Sequence, residues 1–186
     1  MTHLRTLHLE EGRLRGRNIC LRLVTVQDAA FIFCLRNDTT RNQYLSPVGN
    51  IDDQREWLGR YKEREARGEE HYFIIEDAHT RACGAIRMYD YMGDLFTWGS
   101  WATLPETPPS VAVESAVLLY EYAFGNLEFK RCRFEVHRLN RGVVAFNLRF
   151  GARIVSQSGS VYEFSCSRED YAAVRSRYAK FLPPVD

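Results

Sequence analysis

The sequence lacks the features that mark several large classes of protein. No run of apolar residues is long enough to span a bilayer, and the opening stretch MTHLRTLHLEEGRLRGRN holds no apolar core of signal-peptide length. The formal net charge is +1, with acidic and basic residues mixed along the chain, so we expect no charged surface of the kind that binds nucleic acid or an anionic membrane. These absences predict a cytoplasmic protein with no nucleic-acid and no membrane partner.

Cysteine and histidine occur without the spacing that disulfides or metal ions require. The five cysteines are odd in number and include no CxxC pair, which predicts buried thiols in a reducing compartment. The five histidines have no metal-ligand spacing with each other or with cysteine, so we expect no metal site.

Internal repeats and domain-dividing linkers are also missing. The chain has 186 residues, which is enough for one domain with a sizeable core. We therefore expect a single domain over residues 1–186, in which residues 1–17 form a loosely ordered lead-in.

What is present is a regular alternation of strand and helix patterns. Hairpin-length connections join the three central strands, and segments with helical spacing separate most of the others. The resulting order, β-α-α-β-β-β-α-β-α-β-β-α, predicts an α+β fold with a mixed, mostly antiparallel sheet and helices on both faces. The predicted strands are ICLRLVTV, HYFIIED, CGAIRMYDY, LFTWGSWATL, KRCRFEV, ARIVS and SVYEFSC, and the predicted helices lie in TVQDAAFIFCLRND, IDDQREWLGRYKEREARGEE, TLPETPPSVAVESAVLLYEYAF, NRGVVAFNLRF and REDYAAVRSRYAKFL.

One turn lacks the glycines that a phosphate-binding loop usually has. In TLPETPPSVAVESAVLLYEYAF (Thr103–Phe124) a strand passes through a short turn into a helix. Such a turn can bind an anion, because the first amides of a helix have no intrahelical acceptor. This one carries two prolines, a serine and an alanine. Two interpretations stay open. The turn is either a phosphate site that works through backbone amides, or an ordinary helix start whose preceding residues are made rigid by proline.

The ordered set of elements resembles the GCN5-related N-acetyltransferase (GNAT) superfamily from about Asn18 to Tyr171. ICLRLVTVQDAAFIFCLRND is similar to the opening strand and helix of that family, and YAFGNLEFKRCRFEVHRLNRGVVAFNLRFGARIV is similar to its second half. The likeness is to the subgroup that acts on ribosomal-protein N-termini, polyamines and amino-sugar nucleotides. It implies an N-acetyltransferase that uses acetyl-CoA, or another acyl-CoA, and a small-molecule amine as acceptor.

The resemblance implies a cofactor cleft where two neighbouring parallel strands splay apart, here LFTWGSWATL and KRCRFEV. Backbone groups of the first strand would bond the pantetheine arm, which places Trp101, Ala102 and Leu104 along it. Asn140 matches the family residue whose side chain bonds that arm, and it equally suits a helix N-cap. Phe146 is expected against the arm or in the core.

The implied pyrophosphate site falls on the glycine-free turn. The family pattern is Arg or Gln, two residues, Gly, one residue, then Gly or Ala, and it aligns with Thr107, Ser110 and Ala112. The small side chains leave room for phosphate, which the amides of Val111, Ala112 and Val113 would bind with help from the helix dipole. The basic residue of the pattern is absent.

Acetyl transfer needs positioning, a base for the ammonium proton and a group that stabilises the leaving thiolate. In many relatives a tyrosine is the acid; Asn147 stands at that position, and its amide N–H can bond a thiolate without protonating it. Ser100 is expected to order a water molecule. Glu135 and His137 on the facing strand are alternative bases, with His71 a third, and each of the three also suits a structural role.

The acceptor is expected between the first helices and the central strands. Arginine suits phosphate and aromatic rings suit a base or sugar, so an amino-sugar nucleotide is the first choice of acceptor. Acetylation of a protein N-terminus and a degenerate GNAT fold used for binding or regulation remain alternatives, a core role remains open for the aromatics, and a homodimer is compatible with the pattern. The candidate acceptor residues are Arg36, Asn37, Tyr44, Arg87, Tyr89 and Trp98.

Overall fold

A computed structural model describes residues 4, 7–38, 40 and 42–182. Within these residues the strands are Arg13–Arg15 (β1), Cys20–Leu23 (β2), His71–Glu76 (β3), Ala82–Met92 (β4), Leu95–Thr103 (β5), Arg131–His137 (β6), Arg153–Ser158 (β7) and Val161–Ser167 (β8). The α-helices are Ala29–Asn37 (α1), Ile51–Ala66 (α2), Pro109–Glu121 (α3), Arg141–Arg149 (α4) and Arg168–Val174 (α5). None of the helices in the described residues has the length and apolar composition that a membrane span requires.

The strands form one sheet in the order β1-β2-β3-β4-β5-β6-β8-β7. Neighbouring strands pair antiparallel except β5 and β6, which run parallel and are connected through α3. A parallel pair needs such a crossover, whereas the antiparallel pairs β3–β4 and β4–β5 are joined by short hairpins. The predicted α+β fold with a mixed, mostly antiparallel sheet is confirmed.

Alternate side chains of β3 belong to two apolar cores, one on each face of the sheet. Phe73 and Ile75 pack in the core that contains α3, whereas Tyr72 and Ile74 pack in the core that contains α1 and α2. Successive side chains of a strand point to opposite faces, so a strand buried on both sides needs helices on both. The prediction of helices on both faces is confirmed.

The central helix α3 buries two carboxylates, and each has hydrogen-bond partners. Glu121 accepts from Arg175 Nε (2.6 Å) and from the Tyr171 hydroxyl (2.8 Å), while Glu114 accepts from the backbone amide of Asn18 (2.7 Å). A buried charge without partners would be costly, so these contacts make the burial tolerable. They also connect the C-terminal segment and the β1–β2 connection to α3.

Two local predictions are wrong. The loose lead-in expected for residues 1–17 does not hold for Arg13–Arg15, which pair with β2 as an edge strand. Leu14 is fully buried there, and burial of a leucine side chain contributes about 2 kcal/mol. The α-helix expected throughout REDYAAVRSRYAKFL ends at Val174, and the chain continues as a 3₁₀ helix over Arg175–Phe181.

Candidate active site

β5 and β6 pair over only part of their length. The parallel ladder joins Leu95–Thr97 to Arg131–Arg133 and stops there. β5 then continues to Thr103 beside β4, while β6 continues to His137 beside β8. Beyond the ladder, the edge of β5 that faces β6 has no strand partner in the described residues. The strands therefore splay apart at the predicted place, and backbone groups border an open cleft.

A β-bulge at Ser100 turns β5 as it enters the cleft. Arg87 of β4 lies opposite Gly99, and Ala85 lies opposite Ala102, so β5 has one residue more than β4 across this step. Ser100 has a φ of 48°, in the left-handed region that costs a non-glycine residue about 1 kcal/mol or more. Bulges bend the strand that carries them and redirect its side chains. This one brings the Ser100 region to the wall of the cleft.

The cleft opens into a cavity of about 470 Å³ between the end of β5, the start of α3 and one face of α4. Trp101 and Phe146 form an apolar wall, with ring centroids 5.2 Å apart. Asn140 caps α4, since its side chain accepts from the Val143 amide (3.4 Å), and it also lines the cavity. We call this space the cofactor cavity. The cofactor-binding candidates that line it are Trp101, Ala102, Ala112, Val113, Asn140 and Phe146.

Three cofactor-binding candidates do not line the cofactor cavity. Leu104 and Val111 line a separate hollow of about 250 Å³, and Ser110 is exposed on the first turn of α3. The helix begins at Pro109, and the Val111 amide already donates to the Pro108 carbonyl (3.0 Å). The expectation that the Val111 amide binds phosphate is therefore wrong, because the turn of the chain has already used it.

Thr107, at the basic position of the family pattern, is a structural residue. Its side chain is buried, and Oγ1 donates to the Cys83 carbonyl (3.1 Å). Its amide donates to the Leu104 carbonyl (3.0 Å). These bonds fasten the turn before α3 to β4, so this position supplies no cation to the cofactor cavity.

A smaller cavity of about 110 Å³, the central cavity, lies between the diverging halves of β5 and β6 and α4. The four catalytic candidates all line it: Ser100 from β5, Glu135 and His137 from β6, and Asn147 from α4. A water molecule occupies about 30 Å³ in the liquid, so this space holds only a few heavy atoms. Its size suits the reacting ends of two substrates rather than a whole ligand.

Asn147 has a buried side-chain oxygen without a protein partner. Its Nδ2 donates to the Val143 carbonyl (3.0 Å), whereas its Oδ1 has no hydrogen-bond partner in the described residues. A buried acceptor left open costs about 1–3 kcal/mol. We expected this side chain to offer an N–H to a thiolate; one N–H is held by Val143, which leaves the second N–H and the unpartnered Oδ1.

His137 lies at the end of β6 and lines the same cavity. Its Nδ1 accepts from the Leu139 amide (3.3 Å), so the neutral ring carries its proton on Nε2. The ring stacks on Tyr44, with centroids 4.7 Å apart and 19° between the planes. In the tautomer that the contact with the Leu139 amide favours, Nε2 is a hydrogen-bond donor. Of the two alternative bases on β6, the geometry therefore favours Glu135.

On the other side of the central cavity the cleft widens into a space of about 480 Å³, which we call the acidic mouth. Asp90, Glu135 and Glu163 line it, against one guanidinium, Arg133. Glu135 and Glu163 lie directly opposite each other on β6 and β8, and like charges in that position are unfavourable. A cationic ligand would relieve this repulsion. Sequence reasoning missed Asp90, Arg133 and Glu163, because their meeting depends on strand order and register.

A further hollow of about 380 Å³, the arginine hollow, is lined by Arg36, Arg60 and Arg87, with Asp53 as the carboxylate among its lining residues. Arg36 donates through Nη2 to the Ser46 carbonyl (2.8 Å). Among the described residues, Arg36 forms no ion pair with a carboxylate.

Two contacts join the arginine hollow to the acidic mouth. Arg36 Nη1 donates to Ser100 Oγ (3.2 Å), and the Arg87 guanidinium lies 4.5 Å from the centroid of the Tyr89 ring. Ser100 and Tyr89 both line the mouth. Arg87 is held in place by buried Glu70, which accepts from its Nε (2.7 Å). Cationic and anionic regions thus lie side by side at this end of the cleft.

The other acceptor candidates divide between the cavities. Tyr44 lines the central and cofactor cavities, and Trp98 lines the central cavity and the acidic mouth. Asn37 lines none of the spaces described above; its Nδ2 donates to two backbone carbonyls, of Phe33 (2.9 Å) and Val48 (3.2 Å). Asn37 therefore has a structural role in which its side chain fixes the loop after α1. This corrects the prediction that Asn37 binds the acceptor.

His71, the third candidate base, lies outside the cleft. Its Nδ1 is 2.7 Å from the Tyr91 hydroxyl oxygen, and its Nε2 is 3.4 Å from that of Tyr122. Burial lowers the pKa of His71, which keeps the ring neutral. A neutral histidine enclosed by two phenols has a structural role, and the assignment as a base is corrected.

This fold and cleft have a match among known protein families. The family model described as the Acetyltransferase (GNAT) domain matches residues 18–153. Because it covers most of the sequence, the chain belongs to the GNAT family and is an N-acetyltransferase. The comparison with curated proteins finds no match.

Solved structures of GNAT proteins are similar over most of the chain. FdhC, described as a nucleotide-linked sugar GNAT, is 38% identical with a TM-score of 0.83, and the alignment covers 91% of this chain and 98% of FdhC. A GNAT from Brucella melitensis is 18% identical (TM-score 0.73, 99% and 91% covered). SpeG of Vibrio cholerae, a spermidine/spermine N-acetyltransferase, is 18% identical (TM-score 0.66, 84% and 96% covered). The last two show the shared fold alone.

Proposed function

We propose that this enzyme transfers the acetyl group of acetyl-CoA to a primary amine on a nucleotide-linked amino sugar. One observation carries the proposal: FdhC, a nucleotide-linked sugar GNAT, is 38% identical over nearly its whole length. The polyamine acetyltransferase SpeG is only 18% identical, so that likeness carries no argument about the acceptor.

The charges at the acceptor end support this choice. A protonated amine is attracted to the acidic mouth of Asp90, Glu135 and Glu163, and a diphosphate is attracted to Arg36 and Arg87 in the adjoining arginine hollow. A nucleotide-linked amino sugar carries both charges on one molecule. A polyamine has no anion to place against the arginines, so it would use only half of this surface.

The cofactor cavity has the chemistry that acetyl-CoA requires. The unpaired edge of β5 offers backbone donors and acceptors to an amide-containing arm, and Trp101 and Phe146 give that arm an apolar wall. The positive end of the α3 dipole lies at the same cavity, at Ala112. Acetyl-CoA bound there would supply a thioester. The amine would attack its carbonyl carbon, the C–S bond would break, and the sulfur would leave as a thiolate that takes up a proton released by the amine.

Glu135 is our proposed base, the group that prepares the amine for attack. It is the carboxylate that lines both the acidic mouth and the central cavity in the described residues. An ammonium group that passes from one space to the other can lose its proton to this carboxylate, which exposes the nitrogen lone pair. His137, with its proton on Nε2, then donates a hydrogen bond to negative charge that develops in the central cavity.

The acceptor is tested with purified enzyme, acetyl-CoA and a matched panel of amines. The panel contains a nucleoside-diphosphate amino sugar, the corresponding free amino sugar, spermidine and a short peptide with a free N-terminus. We expect kcat/KM for the nucleotide-linked sugar to exceed that of the free sugar by about 100-fold, because charge-assisted bonds to its phosphates are worth about 1.5–3 kcal/mol each. Thiol release measures the rate, and mass spectrometry locates the acetyl group.

A higher kcat/KM for spermidine or for the peptide would contradict this acceptor. Calorimetry with CoA alone then shows whether the cofactor site itself is intact. Binding of CoA without turnover of any amine would favour a degenerate fold used for binding or regulation.

A further inference from the structure

The cofactor cavity is almost free of charged side chains. Its walls are the end of β5, the first turn of α3, and neutral side chains of α4 and the α1–α2 loop. Arg149, the last residue of α4, is the one charged side chain among the described residues that line it. An acyl-CoA carries several phosphate charges, and a guanidinium is the side chain best suited to bind them.

Helix geometry explains why Arg149 reaches this cavity. Gly142, Phe146 and Arg149 are four and three residues apart, a spacing that places them on one face of α4. All three line the cofactor cavity, whereas Asn147 lines the central cavity instead. Ala112, on the first turn of α3, lines the cofactor cavity as well. The guanidinium and the positive end of the α3 dipole therefore act on the same space.

Arg149 is available for a ligand. It is exposed, and none of the ion pairs in the described part of the chain includes it. Arg22 and Arg175, by contrast, are largely buried and are paired with carboxylates. An exposed cation in the last turn of a helix also stabilises the helix dipole, and that role is distinguished from ligand binding by the measurements below.

The turn before α3, residues 104–108, has no basic side chain of its own. Thr107 stands where the family pattern has Arg or Gln and is bonded to Cys83, and the Val111 amide is bonded to Pro108. We propose that Arg149 binds the pyrophosphate of the acyl-CoA and so replaces, from α4, the basic residue that this turn lacks. The inference rests on the proposed use of acetyl-CoA and adds the residue that holds its phosphates.

The test compares Arg149→Gln with Arg141→Gln in the full chain. Arg141 is the first residue of the same helix, is exposed and does not line the cofactor cavity, so the control removes the same charge from the same element. Calorimetry gives the Kd of CoA, dephospho-CoA and pantetheine for each protein without any amine acceptor. Thermal unfolding reports the effect of each substitution on stability.

We expect Arg149→Gln to raise the Kd of CoA and of dephospho-CoA about tenfold, as for the loss of a partly exposed charge-assisted bond. The Kd of pantetheine should not change. Arg149→Lys should recover part of the loss, and added salt should weaken CoA binding more in the wild type than in Arg149→Gln. Arg141→Gln should bind all three as the wild type does.

Three results would overturn the inference. An equal loss for pantetheine would show a structural role, and a loss confined to CoA would assign Arg149 to the 3′-phosphate instead of the pyrophosphate. Unchanged affinity for all three ligands would remove Arg149 from the site. Failure of the wild-type protein to bind CoA at all is a different result, because it would contradict the proposed use of acetyl-CoA itself.

Discussion

The two ends of the cleft are built in different ways. The cofactor end consists of a strand edge, a helix start and neutral side chains, with Arg149 as its one charged lining residue in the described part of the chain. The acceptor end brings together charged side chains from three strands and two helices, among them Asp90, Glu135, Glu163 and Arg36. Backbone geometry thus shapes the proposed cofactor site, and side-chain charge shapes the proposed acceptor site.

The largest effect on activity is expected from a substitution of Glu135, which lies at the boundary between these two ends. Glu135→Gln keeps the shape of the side chain and removes its capacity to accept a proton. General-base catalysis typically contributes 10²–10⁴-fold, so we expect kcat to fall about 100-fold, with the Kd of acetyl-CoA unchanged. Steady-state kinetics with the best amine of the acceptor panel, together with calorimetry for the cofactor, measures both quantities.

Glu163→Gln is the matched control, since Glu163 lies opposite Glu135 in the sheet and lines the acidic mouth without lining the central cavity. It should raise the KM of the amine a few-fold, by weakening the attraction for a cation, and leave kcat near the wild-type value. If the two variants lose kcat equally, Glu135 is not the base and the two carboxylates act only as attracting charge.

A smaller effect is expected at the cofactor end, where shape rather than charge matters. Ala112 lines the cofactor cavity on the first turn of α3, and leucine at this position would occupy the space in front of the helix start. Ala112→Leu should raise the Kd of acetyl-CoA by about 10- to 100-fold, the ratio that corresponds to an overpacking cost of about 1–3 kcal/mol. Calorimetry with acetyl-CoA measures it.

Ala173→Leu provides the control for this substitution, because Ala173 is exposed on α5. It makes the same chemical change away from the cleft and should alter neither affinity nor stability by more than about 0.5 kcal/mol. Unchanged affinity in Ala112→Leu would show that the phosphates lie elsewhere, and the cofactor end would then need a different assignment.

The contrast between the two ends also explains how far the sequence could predict the molecule. Strand alternation and hairpin length are local signals, so they predicted the mixed sheet and both helical faces correctly. The resemblance to GNAT proteins then placed the splay between β5 and β6, where the ladder does stop after Thr97. The strand order and the splay were therefore accessible from the sequence, whereas the backbone bonding at the start of α3 was not.

Features set by distant side chains were not accessible in the same way. Asp90 and Glu163 reach the acidic mouth through the pairing of β4 with β5 and of β6 with β8, and no local pattern encodes that meeting. The same holds for His71, whose two phenol partners lie on other elements. Arg149 was missed for a different reason. Its spacing from Gly142 and Phe146 could be read from the sequence, but the cavity beside that face of α4 could not.

The smallest effect is expected from a substitution of Thr107. This residue lies in the turn before α3, near the cofactor end, but its side chain contacts the backbone of β4. Thr107→Val removes the hydroxyl that donates to the Cys83 carbonyl (3.1 Å) and keeps the shape of the side chain. A neutral hydrogen bond contributes about 1 kcal/mol, so Tm should fall by about 2–4 °C for a chain of this size. Thermal unfolding measures this loss, and the Kd of acetyl-CoA should stay within twofold of the wild type.

Thr107→Ser serves as the control, because it retains the hydroxyl and should recover most of the lost Tm. The opposite pattern, with Tm unchanged and the affinity for acetyl-CoA reduced fivefold or more, would place the hydroxyl on the cofactor. The turn before α3 would then contribute a side chain to the phosphate site. A side chain would then help to bind the cofactor at the position where the family pattern has Arg or Gln. The cofactor end would no longer be shaped by the backbone alone.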